Sequence, residues 1–78
     1  MNRALRVGDR IKHYKITAMS VNSILAFSVS KCEVNPFVVW YLDYDRTGVH
    51  SGEYFSSHEE ACKIFADRVI LETAFKSH

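Results

Sequence analysis

Glycine, proline and cysteine are all scarce in this chain, with three, one and two residues among 78. The glycines (Gly8, Gly48, Gly52) are isolated from one another, which excludes the glycine-rich loop that cradles phosphates with backbone amides. Two cysteines, Cys32 and Cys62, are too few to staple a secreted scaffold, and no signal-peptide pattern accompanies them, so both read as reduced thiols. Long hydrophobic runs are missing too. The longest, Phe37 to Leu42, has six residues and includes Tyr41, far short of the roughly 18 that a membrane span requires. A soluble, cytoplasmic protein with no membrane contact is expected.

Charge of one sign is also lacking. A formal net charge of +1 fits neither a strongly basic nucleic-acid binder nor an acidic nucleic-acid mimic. The balance conceals an asymmetry. Residues 1–31 carry six bases (Arg3, Arg6, Arg10, Lys12, Lys15, Lys31) against Asp9, a balance of +5, whereas residues 32–78 carry four bases against eight acids, a balance of −4. Antiparallel neighbours are expected to pair these charges across a sheet.

Apolar content, at 47%, suffices for one core, so residues 1–78 read as a single domain with frayed ends at 1–6 and 76–78. Tyr14, Ile16 and Ala18 alternate with polar neighbours, as do Leu25, Phe27 and Val29, with Asn22-Ser23 as a turn between them. Asn35-Pro36 interrupts the pattern, and Phe37 to Tyr44 follows as the strongest strand signal, rich in β-branched and aromatic residues. Asp45-Arg46-Thr47-Gly48 suits a tight turn with Gly48 in the left-handed region, leading into a strand over 49–55. Ser57 followed by Glu60 predicts a capping box and a helix from His58. Ala61, Cys62, Ile64, Phe65 and Val69 then recur at helical spacing, while Glu72 rotates onto the same side.

The fold class is therefore α+β, a three- to four-stranded antiparallel meander packed on one C-terminal helix in the order ββββα. Pairing Asp45 with Val49 would set Leu42 opposite Gly52 and Trp40 opposite Tyr54. It puts Val38, Trp40, Leu42 and Tyr54 under the helix with Leu25, Phe27, Tyr14 and Ile16. Val39, Tyr41, Asp43, Asp45, Ser51 and Glu53 would face outward.

No constellation points to a reaction. The histidines (His13, His50, His58, His78) lack metal-ligand spacing, neither cysteine belongs to a C-x-x-C pair, and Cys62 falls on the apolar helix stripe as a packing residue. His13, Lys15 and His50 are the components a nuclease would need, yet such residues occur widely without one, and a domain this small offers little depth for a water-excluding pocket. Neither metal nor cofactor is expected, and the reading is non-enzymatic. The candidate partner-binding residues are Tyr41, Asp43, Asp45 and Glu53 on the outer face, with Lys15 nearby. An aromatic anchor among carboxylates suits docking onto a basic protein surface.

Gly8-Asp9-Arg10-Ile11 leading to Tyr14-Lys15-Ile16, then Pro36 to Tyr41, Gly52 to Phe55, and Ala61, Phe65 and Arg68 form a combined pattern. Over residues 8–68 the chain resembles short α+β proteins carried by bacteriophages and mobile elements, a class that includes anti-CRISPR-type inhibitors. The resemblance implies the cytoplasm of a bacterial host and a protein partner in a host nucleic-acid-processing complex, blocked by steric occlusion. It carries over no functional residue. Direct nucleic-acid contact is not the leading expectation. The alternative is a small nucleic-acid-binding regulator that uses Arg3, Arg6, Arg10, Lys12 and Lys15, and homodimerisation through Val69, Leu71 and Phe75 is compatible with either.

Overall fold

A computed structural model describes residues 3–76, and side chains through Ala74. Five strands in sequential order, each antiparallel to the next, form one sheet: β1 (Arg10–Ile11), β2 (Tyr14–Met19), β3 (Ser23–Ser28), β4 (Phe37–Leu42) and β5 (Val49–Phe55). Helix α1 (His58–Lys76) follows. The α+β meander with a C-terminal helix agrees with the sequence. The expectation of three to four strands falls short by β1, a two-residue strand too brief to show alternation. It pairs Arg10 with Lys15 and Ile11 with Tyr14 across a hairpin whose Lys12 takes a left-handed φ of 57°.

The register of β4 with β5 differs from the expected one. Leu42 pairs with Val49, Tyr41 with His50, and Val39 with Glu53. Two causes act together. The left-handed residue of the connecting turn is Arg46 (φ 63°), not Gly48, so the loop spans 43–48 and closes with Asp43 N–H donating to Gly48 O. Farther along, Ser51 and Gly52 both lie opposite Trp40, a bulge with Ser51 at φ 53°. Thr17 adds a second bulge in β2 between Ile16 and Ala18. Bulges bend and twist the strands that carry them, and these two curl the sheet.

The helix covers the opposite face from the one expected. Leu25, Val39, Phe37 and Phe55 pack with Ala61, Cys62, Ile64 and Phe65 of α1, joined by Ala18. Val38, Trp40, Leu42, Tyr14 and Ile16 do share a face, as expected, but with Ile24 and Ala26, and beneath no helix. That face closes on itself. Curling lets the rings of Tyr14, Trp40 and Tyr54 meet at centroid distances of 5.4 to 6.4 Å, and Leu5, Ile11, Met19 and Val49 cover the rest. Leu25 and Phe27, assigned to the Trp40 side, lie on the helix side, because Leu25 pairs with Val39 and Phe27 with Phe37.

Both helix ends are fixed. Ser57 Oγ accepts from Glu60 N–H at 3.3 Å, one of the two bonds of the predicted capping box. Near the far end, Glu72 Oε1 accepts from Ser20 Oγ and Asn22 N–H in the β2–β3 turn. The acid that turns inward on the helical wheel is thus a clamp on that turn. At the N-terminus, Arg3 pairs with Asp9 through two hydrogen bonds, and Leu5 N–H donates to Arg46 O. Residues 1–2 and 77–78, at the ends expected to fray, lie outside the described residues.

Candidate functional site

The β4–β5 hairpin tip is held from three directions. Asp43 O accepts from Arg46 N–H within the turn, Arg46 Nη1 donates 2.9 Å to Val21 O of the β2–β3 turn, and Arg46 O receives the Leu5 amide. Asp45 Oδ1 accepts from Thr47 N–H at 3.1 Å. Hydrogen bonds from the Thr47 backbone and side chain hold the Asp45 carboxyl below the usual aspartate range. Asp43 folds back so closely over Gly48 that a Cβ there would sit 2.6 Å from Oδ2.

Tyr44 stands fully exposed between these two aspartates, at 104% of its reference area. With Asp43 and Asp45 it lines a shallow open recess. Tyr44 is not among the residues expected to bind a partner; the pairing of Asp45 with Val49 would have drawn it into β4, whereas the observed strand ends at Leu42. The signal was available as Asp-Tyr-Asp within the turn.

A strip of side chains runs from this tip along the helix-covered face. Tyr41 and His50 are cross-strand neighbours with rings stacked at 5.8 Å and 23°, and His50 Nε2 lies 3.9 Å from Asp43 Oδ1. On the other side of Tyr41 the guanidinium of Arg68 lies 4.0 Å from the ring centroid. Arg68 Nη2 donates to Glu53 Oε1. Arg68 is buried on the apolar stripe of α1 and was not among the expected site residues. Nothing in helical periodicity distinguishes it, since its partners come from two strands.

Tyr41, Asp43 and Asp45 therefore lie together at one end of the sheet. Glu53 is engaged by Arg68 farther along the strip. Lys15 is not brought to them. It lies on β2, separated from β4 by β3, exposed and opposite Arg10. Of the residues considered for dimerisation, Leu71 is exposed, as is its neighbour Ile70, while the Phe75 side chain lies beyond those described.

Among the described residues no group of three or more His, Cys, Asp or Glu side chains could hold a metal ion, and no helix is long and apolar enough to cross a membrane. Both cysteines are free; Cys62 Sγ lies 3.4 Å from His58 Nε2 one helical turn away. No known protein family, curated protein or solved structure matches the chain.

Proposed function

We propose that this chain is a non-enzymatic protein-binding module that docks through the Asp43-Tyr44-Asp45 tip, with Tyr41 and His50 continuing the contact surface. One observation carries the reading: a fully exposed tyrosine flanked by two carboxylates on a turn held at three points. A large aromatic side chain left in water gains most when a partner desolvates it. A turn already fixed at Val21 and Leu5 loses little further entropy on binding. The flanking charges select a basic partner and speed encounter with it.

In its finer form the partner is the basic groove of a host nucleic-acid-processing complex, a CRISPR effector being one instance, and the module acts by occupying that groove. Glu53 contributes less than Asp43 and Asp45, because Arg68 already neutralises it.

Tyr44→Ala is the cleanest test, since that side chain is wholly in solvent and its removal leaves the fold intact. Crosslinking capture from bacterial lysate by the wild type, repeated with Tyr44→Ala and with Asp45→Lys, should give a specific partner. The truncation should weaken its retention by about 30-fold, as loss of an interface anchor does. The charge reversal should remove the salt sensitivity of retention. Identical partners and retention for all three proteins would refute the tip as the docking element.

A further inference from the structure

The end of the sheet opposite the acidic tip carries a different surface. Successive cross-strand pairs place Arg10 opposite Lys15, Lys15 opposite Phe27, Phe27 opposite Phe37, and Phe37 opposite Phe55. Directly opposed residues of an antiparallel pair point to the same side, so these five side chains form one row across all five strands. The helix covers only part of it: α1 packs on β3, β4 and β5, its first-turn His58 ring lying 5.2 Å from Phe37. Phe27 emerges 37% exposed, and Lys15 and Arg10 lie in the open beyond it, with Lys12 exposed in the adjoining hairpin.

The expected pairing of opposite charges does not occur here. Arg10 and Lys15 face each other, an arrangement that destabilises a sheet. None of Arg10, Lys12 or Lys15 has an ion-pair partner among the described residues. The acids nearest in sequence are committed elsewhere: Asp9 accepts from Arg3 and from the Arg6 amide, and Glu33 from His13 and the Asn35 amide. A like-charged pair kept on an open strand edge beside an exposed phenylalanine is costly for the fold and useful for an anion that carries flat apolar groups.

We infer that the Arg10–Lys15–Phe27 row binds single-stranded nucleic acid, with Arg10, Lys12 and Lys15 on consecutive phosphates and a base stacked on Phe27. An acidic polypeptide would satisfy the charges but would have no use for the ring. Duplex grooves would use the charges but keep their bases out of reach of side chains on an open sheet face.

Fluorescence anisotropy with a labelled single strand of about fifteen nucleotides decides the matter. The wild type should bind at low salt, with log K falling against log salt at a slope of about −2 for three phosphate contacts. Arg10→Ser with Lys15→Ser should flatten that slope by about 1.4. Phe27→Leu, which keeps an apolar side chain at this partly exposed position but removes the ring, should weaken binding about fivefold or more while leaving the slope unchanged. No binding at low salt, indifference to Phe27→Leu, or equal affinity for polyglutamate or for duplex would each overturn the assignment.

Discussion

Arg68 lies over Tyr41, its guanidinium 4.0 Å from the ring centroid, and the same group bonds Glu53 on the neighbouring strand. One helix residue thereby ties α1 to β4 and β5 through a cation–π contact and an ion pair. Among the described residues its Nη1 has no hydrogen-bond partner, so part of a buried charge is left uncompensated. Truncation and isosteric replacement should therefore differ. Arg68→Ala removes the packed stem as well as the charge and should cost about 2 kcal/mol, discounted because the Glu53 carboxylate is half exposed and can be rehydrated. Arg68→Met keeps the stem and removes the orphan donor, and should stay within about 1 kcal/mol of wild type. Urea midpoints distinguish the two; equal losses would show that the stem contributes nothing.

Gly52 is required by Trp40. A Cβ at this position would lie 2.6 Å from both Cδ1 and Nε1 of the indole, inside any tolerable contact. Because Trp40 is itself buried against Tyr14 and Tyr54, it cannot swing away freely. Gly52→Ala should destabilise by about 1–3 kcal/mol, the cost of overpacking, and shift the tryptophan fluorescence to the red. A urea midpoint and emission maximum unchanged from wild type would contradict this packing.

Lys15→Glu should make the fold more stable. The substitution turns the repulsive Arg10–Lys15 pair into an attractive one at an exposed edge, worth about 0.2–1 kcal/mol. The thermal midpoint should rise, and the gain should vanish in the Arg10→Ser background. A fall in midpoint would mean that Lys15 makes a favourable contact in the wild type.

Stability should decline at both pH extremes for identifiable reasons. Arg3, through its side-chain hydrogen bonds, and the Arg6 amide hold the Asp9 carboxyl below its ordinary value, and Thr47 does the same for Asp45. Groups lowered in the folded state contribute stability that is present above about pH 4, their unfolded value, and lost as pH falls through the folded one. Burial, reinforced by the nearby charges of Glu33 and Tyr54, raises the Tyr14 phenol. Its contribution is complete below about pH 10 and is lost as pH rises through the folded value. Urea midpoints should therefore drop on the acid side in wild type and drop less in Asp9→Asn. On the alkaline side, Tyr14→Phe should hold its midpoint to higher pH and delete the last-ionising tyrosine from the absorbance titration.

Periodicity and capping were sufficient for the order of β2 to β5 and α1, the helix start at His58 and the inward turn of Glu72, because those depend on neighbours one to four residues apart. The candidate site was legible in part. Tyr41, Asp43 and Asp45 stand out as polar and aromatic residues near a turn, but Tyr44 and Arg68 do not reveal their roles without knowledge of what lies beside them.

What tertiary structure alone decided was the face the helix covers and the fate of the charges. The covered face follows from the β3–β4 register, which sets Leu25 with Val39 and Phe27 with Phe37 on the side that α1 packs against, and the charges follow from the pairing of each strand with the next. A shift of one residue in a strand reverses every side chain beyond it, and the Thr17 bulge thereby turns Ala18 from the Ile16 side to the helix side. The β1–β2 pairing brought Arg10 to Lys15 instead of to an acid, and the docking of α1 brought Arg68 to Glu53. The sequence contains a basic half and an acidic half; only the strand pairing decides that they remain apart.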